Sequence, residues 1–202
     1  MTDSFSPDPI VIEIKVTVMS TIERSEFMAK LLKPFKPAPD FEGFILIPKA
    51  VSEQLPRRGR TTVDLMIEGY DFRVTLEPDG NLSHWAKLSH TDLASGHLTL
   101  DEEYSVQLIP VDEEPEPKVP DDLSEAIHRQ STALETWQQT TTIARLDWVH
   151  WVESAKQAKT RAKRVSDACN MLAEGKRRVC CFDNSGFYSK SLKAPKVSNE
   201  TS

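Results

Sequence analysis

The fold of the first half of the chain is decided by residues 60–88, which read RTTVDLMIEGYDFRVTLEPDGNLSHWAKL. Apolar residues recur there at every second position, as expected of strands with one apolar face. These residues are Val63, Leu65 and Ile67, followed by Phe72, Val74 and Leu76. Turn residues separate the runs at 68–70 and 78–81, where glycine accepts positive φ and proline fixes φ. The stretch therefore predicts a three-stranded meander.

The same alternation of short apolar runs and turn residues extends from residue 27 to residue 111. Strands are predicted at 27–33, 41–47, 61–68, 70–77, 82–88 and 104–111. Two short helices are predicted between them, one beginning at Pro48 and ending at Leu55, the other beginning at His90 and ending before Gly96. Strands of this number and spacing are typical of an all-β barrel or sandwich. We therefore assign residues 25–112 to one β domain.

Residues 1–24 form an N-terminal extension with one possible extra strand. Ile12, Ile14, Val16 and Val18 recur with a period of two, which favours a strand. The apolar run around them is interrupted by charged residues and lacks the basic start of a signal peptide. It is also too short to span a bilayer. We therefore expect a cytoplasmic protein.

The second half of the chain is predicted to be helical and to follow a hinge. Residues 113–120 are acidic and rich in proline, so like charges repel and backbone donors are missing. From Ile143 to Leu172 apolar residues recur every three or four positions. This pattern predicts one long amphipathic helix or two in succession, stopped by Gly175 and covered by the barrel of the same chain. Residues 121–178 thus form a helical module, and the polar residues 179–202 form a flexible tail.

The net charge of −6 is unevenly distributed along the chain. Acidic residues dominate 101–125 and basic residues dominate 156–193, which indicates either attraction between the two parts or a nucleic-acid surface. The three cysteines, Cys169, Cys180 and Cys181, have no zinc-site spacing, and their odd number fits a reducing compartment. We interpret them as packing residues or unreactive thiols.

Two groups of motifs resemble a known family. The segment WVHWVESAK at 148–156, with KTRAKRV at 159–165 and LAEGK at 172–176, is similar to the signature of the YdeI/OmpD-associated (bacteriocin-protection) family. Upstream, FILIP at 44–48, RGR at 58–60, EGYDFR at 68–73 and LEPDG at 76–80 resemble the small β-barrel domain of unknown function that often precedes it. The resemblance implies an α+β fold in a bacterial protein. It implies a double-split β-barrel of AbrB- or MazE-like shape, a helical module after it, and no catalytic residues.

Five cations on the predicted helix are the candidates for an anion-binding or partner-binding surface. They are Lys156, Lys159, Arg161, Lys163 and Arg164. At about 100° per residue they bracket the apolar stripe. Ammonium and guanidinium groups neutralise phosphates, so a nucleic acid is one possible partner. In the alternative interpretation they pair with carboxylates of the same chain while their alkyl stems cover the core.

Three tryptophans and three arginines are further candidates. Trp137, Trp148 and Trp151 follow the helical spacing and are predicted to be buried at the junction between barrel and helices, with base stacking as the alternative. Arg57, Arg58 and Arg60 surround a glycine, in a turn that either binds an anion or is a solvated loop.

No recognised nucleotide-binding or hydrolase motif occurs in the sequence. His84, His90 and His97 match no metal-ligand spacing. We therefore expect no catalytic residues, no cofactor and no metal. Three hypotheses follow: a non-enzymatic module of the stress or bacteriocin-protection type that binds a protein or an anionic ligand, a nucleic-acid-binding or regulatory protein that uses the basic helix, and an enzyme with a cleft between barrel and helices.

Overall fold

A computed structural model describes residues 24–38 and 40–198. Within them, six strands form one antiparallel sheet in the order β1-β6-β3-β4-β5-β2. The strands are β1 (Ser25–Lys30), β2 (Gly43–Leu46), β3 (Thr61–Ile67), β4 (Tyr70–Pro78), β5 (His84–Leu88) and β6 (Glu103–Pro110). Each of the six strands predicted between residues 27 and 111 is confirmed. The strand predicted within residues 10–18 lies outside the described residues.

The sheet curls until its two edges meet. Leu32, just after β1, and Phe44 of β2 exchange backbone hydrogen bonds of 2.8 and 2.9 Å. The alternating residues of β3, among them Val63 and Leu65, point into the curl, where both are fully buried in the sheet core. β3 turns into β4 through Glu68 and Gly69, which both have positive φ, as a two-residue hairpin turn requires.

Two short helices, α1 (Lys49–Ser52) and α2 (His90–Ser95), lie between strands, as predicted. Ser89 begins α2 with a capping box, because its side chain accepts from the Asp92 amide and Asp92 accepts from the Ser89 amide. The helices of the second half follow residue 120. The described chain is therefore α+β, a curled antiparallel sheet followed by helices, and the predicted fold class is confirmed.

The helical module consists of α3 (Asp121–His128), α4 (Ser131–Gln138), α5 (Thr142–Glu153) and α6 (Ala158–Ala173). The apolar stripe predicted from Ile143 to Leu172 is thus split between α5 and α6, the second of the two arrangements that the sequence left open. Arg164 closes the end of α5, since its Nη1 donates to the carbonyl oxygen of Trp151 and, at 2.9 Å, to the hydroxyl of Ser154. No helix in the described ranges has the length and apolar character needed to cross a membrane.

The helices of the module cover one another, so the expectation that the barrel covers the whole stripe is wrong. Val149 and Val152 of α5 share one core with Cys169 and Leu172 of α6, and the members of this core all belong to the second half of the chain. The helices fold back on each other because each has its own apolar face.

Part of the predicted flexible tail is in contact with the sheet domain. The amide of Phe35 donates to Lys196 at 2.8 Å, and the amide of Ser198 donates to Lys33 at 2.8 Å. The carboxylate of Asp183 accepts hydrogen bonds from backbone amides of residues 186, 188 and 189. Although burial raises the pKa of Asp183, hydrogen bonds from the amides of Ser189 and Tyr188 and from the side chains of Ser185 and Ser189 lower it to about 2. Backbone and carboxylate hydrogen bonds therefore hold a segment that has few apolar residues.

Gly80 lies against the backbone of Leu192 in the tail. Replacing Gly80 with alanine is therefore expected to push this part of the tail away from the sheet domain. Gly80 has a φ of 75°, and a Cβ there would lie 2.2 Å from the carbonyl oxygen of Leu192. Gly69 has a φ of 80°, but a Cβ there would meet nothing within 4 Å. Both substitutions cost about 1 kcal/mol for the left-handed backbone, and Gly80→Ala adds about 1–3 kcal/mol for overpacking.

Urea denaturation and the rate of trypsin cleavage after Lys190 and Lys193 measure the two effects. Gly80→Ala should lose more stability and be cleaved faster than the matched control Gly69→Ala. Equal losses and equal cleavage rates in the two variants would show that the tail segment is not held against Gly80.

Candidate functional site

Arg60 joins the sheet to the helical module. It precedes β3, and its guanidinium donates to Glu77 of β4 at 3.0 and 2.8 Å and to Glu153 at the end of α5 at 2.5 Å. The Arg60 and Glu77 side chains are 14% and 24% exposed, so water competes little for the bonds between them, whereas Glu153 is 35% exposed. Burial alone would lower the pKa of Arg60, but the carboxylates of Glu77 and Glu153 outweigh it, so the pKa of Arg60 is raised. Arg60 therefore stays charged between two anions.

A second ion pair crosses the same interface. Nη2 of Arg57 donates to Asp147 of α5, and the two side chains are 13% and 24% exposed. Nη1 of Arg57 is buried without a hydrogen-bond partner among the described residues. Arg57 and Asp147 also line a recess of about 370 Å³ that includes Arg178. The interface is therefore held by charge pairs at two points along α5.

His150 of α5 lies behind these pairs and is 1% exposed. Burial, together with three nearby arginines, lowers the pKa of His150 to about 2, so the ring is neutral. Its Nε2 is 3.9 Å from Glu77, which is too long for a hydrogen bond, and its Nδ1 has no partner within the described residues. The ring contacts Phe182 edge to face, at 5.1 Å between centroids and 83° between planes. His150 is thus a packing residue between α5, the sheet and the tail.

An open cleft of about 590 Å³ lies between strands β4 and β5 and helix α5, and we call it the interdomain cleft. Its apolar lining includes Trp85, Leu146 and Val149. Its charged lining consists of the cations Arg60, Arg73, Lys87 and Lys118 and the carboxylates of Asp40, Glu77, Asp92 and Glu153. A volume of this size suits a small ligand. Four positive and four negative side chains make the lining neutral in sum.

Most charges of the interdomain cleft already have partners. Arg73 donates to Asp64 at 2.7 Å, and Lys87 donates to Asp40 at 3.0 Å. Asp92 is used in the capping box of α2. Lys118 is exposed and has no ion-pair partner in the ranges that the structure describes. A ligand entering the cleft would therefore find one available ammonium group beside an apolar wall.

The acidic hinge is attached to both domains. Glu114 accepts from the amide of Thr62 at 3.2 Å and from the hydroxyl of the same residue. Glu116 accepts from Thr142 at 2.5 Å and from Arg145 at 2.8 Å, and these contacts lower the pKa of Glu116. Lys118 follows two residues later, so the hinge positions it at the cleft.

The structure places the five predicted basic residues in different surroundings. Arg161 makes two hydrogen bonds to Asp122 of α3, at 2.7 and 2.9 Å, and Lys163 pairs with Asp167 at 2.6 Å. Arg164 closes α5 and lies over the ring of Trp151, 5.5 Å from its centroid. Lys156 and Lys159 are exposed, and neither has an ion pair with any other described residue. Two of the five cations are therefore directed to solvent.

The three tryptophans predicted at the junction between barrel and helices lie instead in the core that the helices share with one another. Trp148 is fully buried, and Trp137 and Trp151 pack against the same core. The planes of Trp148 and Trp151 meet at 71°, with 6.1 Å between ring centroids. The aromatic residue of the cleft is instead Trp85 of β5, which contacts Phe41 at 5.7 Å and Phe44 at 6.1 Å.

The arginine turn and His84 have structural partners. Arg57 and Arg60 belong to the interface, and Arg58 donates to the carbonyl oxygen of Leu82 at 3.2 Å. His84 is buried between Ser52 at 2.7 Å and the carbonyl of Gly59 at 3.0 Å, and burial lowers its pKa. Among the described residues no cluster of three or more potential metal ligands occurs. The sequence signal for the interface was the arginine-rich turn, but the sequence does not identify its partners.

Comparison with protein families gives two adjacent matches. A model described as "Bacteriocin-protection, YdeI or OmpD-Associated" matches residues 116–175, and a model of a domain of unknown function, DUF1905, matches residues 27–108. The first match coincides with the helical module and the second with the curled sheet. A search of curated proteins found no match to the chain. The boundary between the two matches lies at the hinge beside the interdomain cleft.

Proposed function

We propose, from the match of residues 116–175 to the YdeI/OmpD-associated (bacteriocin-protection) family model and of residues 27–108 to DUF1905, that the chain is a non-enzymatic binding module of the bacterial cytoplasm. Its role is of the stress or bacteriocin-protection type. The interdomain cleft supports the proposal, because it has the volume of a ligand site and lies where the two family domains meet.

The lining of the cleft suggests the chemical class of the ligand. Trp85, Leu146 and Val149 offer apolar surface, and Lys118 offers an ammonium group. Among the remaining cations of the cleft, Arg60 is held in a mostly buried ion pair that is costly to break. Arg73 and Lys87 are engaged with carboxylates in exposed pairs. The ligand is therefore a small anion with an apolar part, or a peptide that presents these two groups, rather than a polyanion.

A thermal-shift screen of N-acyl amino acids, aromatic carboxylates and short acidic peptides tests this function. Lys118→Glu should weaken binding of a hit by about tenfold or more, since reversing one charge contact is worth roughly 1.4 kcal/mol. Lys156→Glu is the matched control, because Lys156 is also exposed but does not line the cleft. Binding that is unchanged by Lys118→Glu would refute the cleft as the binding site.

The protective role is tested separately in cells. A strain that lacks the gene should survive a panel of bacteriocins less well than its parent. Wild-type protein and Lys156→Glu should restore survival, whereas Lys118→Glu should not. Unchanged survival of the deletion strain across the panel would remove the protective role and leave the binding proposal to be judged by the screen.

The two other hypotheses have narrower support. Nucleic-acid binding rests on Lys156 and Lys159, and it predicts a mobility shift that weakens as salt rises and is lost in Lys156→Glu. A salt-insensitive or absent shift would exclude it.

The enzyme hypothesis requires a cleft between barrel and helices, and the interdomain cleft lies there. Following the screen for product formation as well as binding tests that hypothesis.

A further inference from the structure

Two adjacent cysteines follow the helical module. Cys180 and Cys181 are both exposed, both are free thiols, and their Sγ atoms lie 3.1 Å apart. Cys169 differs from them, because it is buried in the helical core and burial raises its pKa. The interpretation as a packing residue therefore fits Cys169 but does not fit the two exposed cysteines.

The surroundings of the pair make one thiol the nucleophile. Lys176, Arg177 and Arg178 precede the two cysteines, and cations favour the reactive thiolate form. Lys176 pairs with Glu174 at 2.8 Å, which is the main cause of its raised pKa, and the charge of Cys180 makes a smaller contribution to that rise. The hydrogen bond and the charge of Cys180 raise the pKa of Cys181. Cys181 is therefore the weaker nucleophile of the pair, and we assign the attack on the peroxide to Cys180.

From this juxtaposition we propose that Cys180 and Cys181 form a redox-active dithiol that hydroperoxides oxidise to an intramolecular disulfide. The Cys180 thiolate attacks one oxygen of the peroxide, the O–O bond breaks, and a sulfenic acid forms on Cys180 while an alcohol or water leaves. The Cys181 sulfur then attacks the sulfenic sulfur, and water leaves as the S–S bond forms. In total, two thiols and one hydroperoxide give one disulfide, one alcohol and one water.

Covalent geometry makes this disulfide easy to reduce. Consecutive Cα atoms are about 3.8 Å apart, whereas disulfide-bonded residues usually have Cα atoms about 4.4–6.8 Å apart. A bond between neighbours is therefore strained, and strained exposed disulfides are the labile ones. We expect a strong oxidant such as a peroxide to form the bond and ordinary cellular thiols to reverse it.

The dithiol lies next to the interface between the domains. Cys181 has a φ of 61°, which is unusual for a residue with a side chain. Its neighbour Phe182 contacts the buried ring of His150. Closing a ring through Cys181 changes the backbone that presents Phe182, so oxidation is expected to alter this contact.

Peptide mass spectrometry of the full chain tests the proposal. Trypsin separates the pair, in the peptide Val179–Lys190, from Cys169, in the peptide Val165–Lys176. After treatment with hydrogen peroxide, the first peptide should lose two hydrogen atoms and regain them with dithiothreitol. Cys169 in the second peptide should remain a free thiol and serves as the internal control, with any sulfoxide of Met171 scored separately. Persistent sulfinic acid on either exposed cysteine, or a disulfide between two chains, would overturn the proposal.

Two single substitutions separate the roles of the thiols. Cys181→Ser should stop at the sulfenic acid, which dimedone labels on Cys180. Cys180→Ser should consume peroxide more slowly than Cys181→Ser, because Cys180 is the thiol nearer in sequence to the preceding cations. Equal rates in the two variants would contradict the assignment of Cys180 as the nucleophile. Both residues are exposed, and circular dichroism checks that the variants fold.

Discussion

Replacing Arg60 with alanine is expected to lower the free energy of unfolding by about 3 kcal/mol. The substitution leaves the carboxylates of Glu77 and Glu153 facing each other at the interface without their common cation. We take the lower end of the range for broken buried ion pairs because Glu153 is 35% exposed and water can reach it. Urea denaturation followed by far-UV circular dichroism measures the loss.

Arg73→Ala is the matched control for Arg60→Ala. Arg73 also pairs with a carboxylate across two strands, but Arg73 and Asp64 are 58% and 44% exposed. Exposed pairs of this kind contribute at most about 1 kcal/mol. Similar losses in the two variants would mean that burial does not strengthen the Arg60 contacts and that the two domains do not depend on this residue for their attachment.

The sheet could be predicted from the sequence because its signals are local. In β3 and β4 the apolar residues alternate and Gly69 marks the turn between them, so the pattern defines the strands, their buried face and their hairpin without knowledge of the rest of the chain. The same reasoning applies to α2, whose predicted end before Gly96 agrees with the C-cap at that residue.

The sequence pattern does not decide between one long helix and two in succession over α5 and α6, and the reason is physical. Apolar residues keep the helical spacing across residues 154–157, so the period does not report the end of α5. The end is made instead by Arg164, which reaches back to Trp151 and Ser154. The sequence predicts that the barrel covers the apolar stripe, whereas the helices cover one another. Periodicity shows that a helix face is buried but does not show which element buries it.

The candidate site was less predictable than the fold. Arg60 binds carboxylates that lie 17 and 93 residues further along the chain. The sequence has 31 acidic residues, and charge alone does not identify which of them are the partners of Arg60. The contacts of the tail were hidden for another reason. Asp183 and the backbone amides hold it, and composition reports apolar burial rather than hydrogen bonding.

Trp148→Ala is expected to have the largest effect on the helical module, lowering the free energy of unfolding by about 3–5 kcal/mol. Trp148 is fully buried, and its ring fills the core shared by α5 and α6. The helical and sheet cores form separate clusters of buried residues, so helical circular dichroism should be lost at lower urea concentration than the signal of the sheet.

Two further variants identify what Trp148 contributes. Its indole Nε1 is buried without a hydrogen-bond partner among residues 24–38 and 40–198, so Trp148→Phe removes ring volume but no hydrogen bond and should cost less than half as much as Trp148→Ala. Ile143→Ala, on the same helix but 50% exposed, should change stability by no more than about 0.5 kcal/mol. If Trp148→Ala lowered the free energy of unfolding as little as Ile143→Ala, Trp148 would not be packed in a core between α5 and α6.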